Sequence, residues 1–254
     1  MTCGEETEAE CLRAIEPFRE KITFYEVRDI TPQVVALNKM LEKCKTEYLI
    51  PLDSDIVLND DAYERITQAI GKHNNWHSIL FPLWDTFTEE RILALKILNM
   101  EYMCPFEDVK TPDTIHYSKL EATGAKCIHD YLKEPIGKHV VRGKHFCYHK
   151  YFDVYQTLRA NRRIWDKGAF KNNPRTIREA ALNHHNHFVQ KYNSTRNEDY
   201  LAAIAGMFEG LKRPLDNKSK DLSISVDYDI IGVSGKFVSW LLSADFPKEY
   251  MEKL

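Results

Sequence analysis

Tyr48-Leu49-Ile50-Pro51-Leu52 is a short apolar run that ends abruptly in Asp53-Ser54-Asp55. A run of that length bounded by polar residues reads as a buried strand. A helix precedes it. Thr31-Pro32 supplies a capping hydroxyl followed by Pro at the first helical position, and Val34, Leu37, Leu41 and Cys44 then fall on one face. Another helix follows, opened by Asn59-Asp60-Asp61 with Tyr63, Ile66 and Ile70 turned inward. Two carboxylates one residue apart at a strand end can hold a divalent cation between the protein and a phosphate. In open α/β sheets, ligands bind at the carboxyl ends of strands.

The same alternation extends outward. Residues 1–3 read as the end of a first strand, 8–19 as a helix with Cys11, Leu12, Ile15 and Phe18 at helical spacing, and 22–27 as a β-branched and aromatic strand. Residues 77–83 read as a strand broken by Pro82. Residues 88–98 read as a helix with two Glu in its first turn, favourable to the dipole. A helix over 114–122 closes on Gly124, and 125–129 is strand-like. Strands separated by helices predict an α/β layer with a mostly parallel sheet. Beyond about residue 140 the strand signals fade. Helices are expected over 146–165, over 176–209 with a break near Tyr192-Asn193-Ser194, and over 235–250. A polar linker over 212–221 and a short strand over 224–226 lie between them. The first 140 residues thus form one domain, and 141–254 form a mainly helical extension expected to pack on it.

The chain has 254 residues, with 43% hydrophobic and 29% charged residues and ten each of Gly and Pro. That composition excludes collagen-like, low-complexity and disordered classes. No run of eighteen apolar residues predicts a transmembrane helix. The acidic, polar start predicts no secretory signal, and the expected location is cytoplasmic. Cysteines at 3, 11, 44, 104, 127 and 147 make no C-x-x-C pair, so neither a zinc ribbon nor a thioredoxin-like site is expected, and buried thiols are. Net charge is only −3, yet residues 138–191 carry twelve Lys/Arg against three Asp/Glu, leaving −12 for the rest. Such asymmetry suggests an anionic partner for the basic part, with a solvated helical face as the plain alternative.

The stretch Ala36-Leu37-Asn38, Glu47-Tyr48-Leu49-Ile50-Pro51-Leu52-Asp53-Ser54-Asp55 and an Asp-rich helix start resembles the family 2 nucleotide-sugar glycosyltransferases of the GT-A fold. Pro112-Asp113, Lys119-Leu120-Glu121-Ala122-Thr123-Gly124 and Gly137-Lys138-His139 resemble later segments of that family in order and spacing. The resemblance covers roughly residues 1–145. It implies a GT-A-like catalytic domain over 1–140, inverting sugar transfer from a UDP-type donor, and Mn²⁺ or Mg²⁺ as the cation. By the same resemblance Asp55 holds the metal, Asp53 touches the metal or the ribose, and His139 is a third ligand. Asp113 becomes the base, with Asp108 and Glu107 as rivals and a helix N-cap as its structural alternative. Thr2, Arg28, Asp29, Asn38 and Ser54 become candidates for nucleotide contacts.

Other motifs compete for meaning. Asp227-Tyr228-Asp229 repeats the Asp-x-Asp pattern behind the linker and reads as a turn. Trp84, next to Asp85, reads as a core residue, with stacking on a sugar or base as the alternative. His145-x-x-x-His149 has the spacing of a helical metal pair but no Glu or Cys beside it, and His184-His185-x-His187 reads as a polar helix face. Residues 142–178 interleave cations with aromatics. Phe146, Tyr151, Tyr155 and Trp165 are expected to pack against the sheet, while the cations fit nucleic-acid phosphates, anionic lipids or the donor diphosphate. The acceptor is left open: the resemblance implies a polysaccharide or other glycan, lipid or protein, and the basic segment leaves room for a hydroxylated DNA base reached single-stranded or flipped. A non-enzymatic nucleic-acid-binding protein using the basic 138–191 segment is the competing class. A sugar-nucleotide pyrophosphorylase would need a Gly-rich N-terminal phosphate loop, and only Gly4 is present there.

Overall fold

The structure, a computed structural model, describes residues 6–109, 112–130, 134–160, 176–215 and 233–243, with the backbone alone for 112–115 and 233–234. The chain divides into two compact units, with the break between Val141 and Arg142.

In the first unit, α1 (Glu8–Ile15) has two acidic residues in its first turn and Arg13 in its last, matching the helix dipole. The helix expected to run to residue 19 tightens instead into a 3-10 turn, Glu16–Lys21, at Pro17. α2 (Gln33–Lys43) buries Val34, Ala36, Leu37 and Met40, and Pro32 itself takes the N-cap position in place of a capping Thr31. Then come β1 (Tyr48–Leu49), β2 (Ile56–Leu58), α3 (Ala62–Lys72), β3 (Trp76–Asp85), β4 (Glu90–Asn99), α4 (Pro112–Glu121), β5 (Lys126–His129) and β6 (Gly137–His139).

The sheet order is β1-β4-β3-β6-β2, with β5 also on β3. β4 runs antiparallel along β3, while β5 and β6 lie parallel to its first and last residues. β1 and β2 pair antiparallel with β4 and β6. The sheet is therefore mixed, which corrects the mostly parallel expectation. The cause is β4. Its apolar residues fit a helical stripe as well as a strand, and pairing with β3 decides between them. β3 passes through Pro82 with a register shift at Phe81/Pro82, the accommodation a residue without an N–H requires.

Ile79, Phe81, Leu83, Leu95 and Ile97 pack with Ile66 and Ala69 of α3, while Leu98 packs with Val34, Leu37 and Met40 of α2. Residues 22–27, expected as a strand, join no ladder. Together with α1, α3 and residues 48–52 they line a cavity of about 640 Å³. His77 is fully buried at the start of β3, beside Ser78 and the Tyr117 ring, and burial holds its imidazole below its ordinary value of 6.5 despite Glu121. The unfolded chain then takes up that proton first. Stability from this group is complete above pH 6.5 and is lost as the pH falls below it. Denaturant titrations from pH 7 to 5 are expected to show this loss, and His77→Gln to flatten it.

The second unit holds α5 (Lys144–Ala160), α6 (Ile177–Thr195), α7 (Asp199–Lys212) and α8 (Val233–Leu241). Thr176 caps α6 by accepting from the Glu179 N–H, and left-handed Arg196 ends it, two residues beyond the expected break. Tyr151 and Tyr155 are buried against Phe188 and His184 of α6, so their packing is helical rather than on a sheet. His184, 2.9 Å from the Tyr155 hydroxyl, and His185 are buried, which corrects the polar-face reading. Gln156 and Arg159 donate to the Gly210 and Arg213 carbonyls, satisfying the C-terminal end of α7. Residues 161–175, with Arg162, Arg163 and Trp165, the second Asp-x-Asp and the strand expected at 224–226 lie outside the described residues. Among the described residues, no helix is long and apolar enough to cross a membrane, and the cysteines form no disulfide.

Candidate functional site

The Asp53-Ser54-Asp55 turn is pinned by its backbone carbonyls. The Ile56 N–H donates to Asp53 O (3.1 Å), the buried Thr7 hydroxyl to Ser54 O (3.0 Å) and the Val140 N–H to Asp55 O (2.7 Å). Cys11 Sγ lies 3.7 Å from Asp53 O. Burial, with the charges of Asp55 and Asp53 adding to it, pushes the Cys11 thiol up to about 11, so it stays protonated and serves as a weak donor. The three main-chain acceptors of the turn are thus satisfied.

Strand register delivers the partners. β6 ends at His139, opposite Ile56 on β2 and opposite Asp85 on β3. Gly137 makes the approach possible, since a Cβ there would sit 2.6 Å from Val57 O. This is the physical content of the Gly-x-His spacing. His139 Nε2 stands 3.0 Å from Asp55 Oδ2, and His139 Nδ1 stands 2.7 Å from Asp85 Oδ2. Asp85 is 2% exposed, and its Oδ1 accepts from the N–H groups of Phe87 (2.9 Å) and Thr88 (2.8 Å). Three strand ends thus bring a carboxylate, an imidazole and a second carboxylate into one line.

Asp85 is the residue sequence reasoning missed. Reading 88–98 as a helix hid the β3–β4 hairpin, so its strand-ending position carried no special weight. Trp84, expected in the core, is 39% exposed at the same strand end.

The structure does not bring every candidate here. Asn38 gives both polar atoms to Phe106, donating to its carbonyl (3.0 Å) and accepting from its N–H (2.7 Å), so it anchors the loop ahead of α4. Arg28 pairs with Glu26 and Glu8, whose hydrogen bonds raise its pKa further. Asp29 is exposed, with a left-handed φ of 53°. Glu107 pairs with Lys119, and Asp108 is exposed. Asp113 falls in the first turn of α4 by its backbone. Its side chain and Thr2 lie outside the described residues. His145 and His149 touch edge to face at 4.4 Å between ring centroids.

The donor chemistry at Asp55 and His139 fits a divalent cation. An imidazole nitrogen whose partner nitrogen faces a carboxylate, 3.0 Å from a second carboxylate oxygen, calls for a proton or a cation between them. No group of three or more His, Cys, Asp or Glu forms a ready metal centre among the described residues. Two protein donors match cations that take their remaining oxygens from phosphates and water. No protein-family model and no curated protein matches the chain.

Proposed function

We propose that the chain is a metal-dependent, inverting glycosyltransferase of the GT-A family 2 type, moving a sugar from a UDP-type donor to an acceptor hydroxyl. One observation carries the reading: Asp55, on a turn pinned by its main chain, faces His139 Nε2 of the Gly-x-His strand. Asp55 and His139 would hold Mn²⁺ or Mg²⁺, with Asp53 reaching the same ion or the ribose. When bound, the ion neutralises the charge that builds on the departing diphosphate.

The reaction breaks the bond from the anomeric carbon to the diphosphate oxygen and forms a bond from that carbon to the acceptor oxygen. The diphosphate leaves with the electron pair, and the acceptor proton passes to a carboxylate. Asp113 is the base in this reading. Glu107 is already engaged by Lys119, which leaves Asp108 as the remaining rival.

The acceptor is a glycan or a hydroxylated DNA base. Pure nucleic-acid binding draws less support. Lys144 pairs with Glu198, Arg159 serves α7 carbonyls and Lys150 lies over the Tyr151 ring. These cations of the basic stretch have partners inside the helical unit.

The test is Mn²⁺-dependent release of nucleoside diphosphate from a panel of sugar nucleotides, followed by transfer to glycan and to hydroxymethylated DNA. Asp113→Asn is expected to lower transfer at least 10²-fold while donor affinity holds, with Asp108→Asn near wild type. Failure to turn over any sugar nucleotide under these conditions would sink the reading.

A further inference from the structure

We propose that Asp85 is a positioning residue that fixes the tautomer and ring orientation of His139, so that Nε2 is the atom presented to a divalent cation beside Asp55. The proposal rests on the reading of Asp55 and His139 as cation ligands.

The hairpin after β3 is wound around this carboxylate. Its Oδ1 takes the Phe87 and Thr88 N–H groups, and its Oδ2 takes the His139 imidazole at 2.7 Å. Thr86 fastens the other side of the same strand end. Its N–H (3.0 Å) and its hydroxyl (3.2 Å) both donate to the His139 carbonyl. His139 is thus held through its ring by Asp85 and through its main chain by Thr86, two consecutive residues of one tight turn. A buried carboxylate with two main-chain donors on one oxygen has a fixed orientation, and its second oxygen accepts only from a protonated Nδ1. In the neutral ring Nε2 then carries its lone pair toward Asp55, where a cation would take the place of the proton that otherwise joins the two atoms at 3.0 Å. An imidazole ligand backed by a carboxylate is both oriented and made more basic, and losing such a partner typically costs about 10–100-fold in metal affinity.

Two readouts test this. The first is the tautomer of His139 by ¹⁵N NMR in an Asp55→Ala background, at a pH where the ring is neutral. With Asp85 present the proton is expected on Nδ1, and with Asp85→Asn it moves to Nε2. The second is Mn²⁺ affinity, read by spin-label-free EPR of the free ion, with the full chain and Asp55 intact. Asp85→Asn keeps the shape and the acceptor for Phe87 and Thr88, and is expected to weaken Mn²⁺ by about 10–100-fold. An unchanged tautomer and an unchanged Mn²⁺ affinity in Asp85→Asn would overturn the proposal. A wild-type chain that binds no Mn²⁺ yet shows the proton on Nδ1 would overturn the metal reading and leave the positioning role standing. The wild-type residue at 85 suffices for that tautomer measurement, so a variant that folds poorly does not block it.

Discussion

Asp55→Ala is expected to abolish Mn²⁺-dependent binding of the nucleoside diphosphate and to reduce sugar transfer to background. The side chain faces His139 Nε2 at 3.0 Å. A ligand at one hundred times its Kd stabilises the folded state by about 2.7 kcal/mol. For a chain of this size that is a rise in Tm of roughly 5–10 °C. The wild-type protein should show such a rise with nucleotide and Mn²⁺ together, and Asp55→Ala should show none. The turn itself should survive, because its anchors are the carbonyls of Asp53, Ser54 and Asp55 rather than the carboxylates. An unligated Tm within about 2 °C of wild type would separate loss of the site from loss of the fold.

The largest loss of stability is expected from Gly206→Ala. α5 and α7 approach through Gly206 and Gly210, which stand one turn apart. A Cβ on Gly206 would fall 2.1 Å from Tyr148 O, and one on Gly210 would fall 2.5 Å from Phe152 O. Both obstacles are main chain and cannot swing aside, so the helices must separate. Overpacking of this kind costs about 1–3 kcal/mol or more, and a main-chain obstacle puts it at the upper end, above the ~1 kcal/mol that Ala gains over Gly in a helix. Gly71 near the end of α3 is the control, since nothing stands within 4 Å of a Cβ there. Gly71→Ala should raise stability by roughly 0.5–1 kcal/mol. Opposite signs for the same substitution, read by denaturant unfolding, would confirm that helix contact and not propensity governs Gly206.

The sequence made the site more legible than the sheet. Asp53-Ser54-Asp55 stood out because a carboxylate pair follows an apolar run, and Gly137-Lys138-His139 stood out only through the family resemblance. Their convergence needed β6 to cross between β2 and β3, which no local pattern announces. Residues 90–99 misled because Ile92, Leu95 and Ile97 serve a helix and a strand alike, and only the partner strand chooses. That single ambiguity concealed the hairpin, and with it Asp85. Asn38 and Arg28 were expected to touch the nucleotide. Their actual partners, Phe106 and the Glu8/Glu26 pair, are set by tertiary placement. In the helical unit, buried His184 and His185 defied a polar reading because their neighbours are aromatic rings from α5 and α8.

The most direct test of the central claim is calorimetric titration of the full chain with UDP, in Mn²⁺ and again in EDTA. Saturable binding in Mn²⁺ that disappears in EDTA is the predicted result. Binding of equal strength in both, or none in either, would contradict a cation held between Asp55, His139 and a diphosphate.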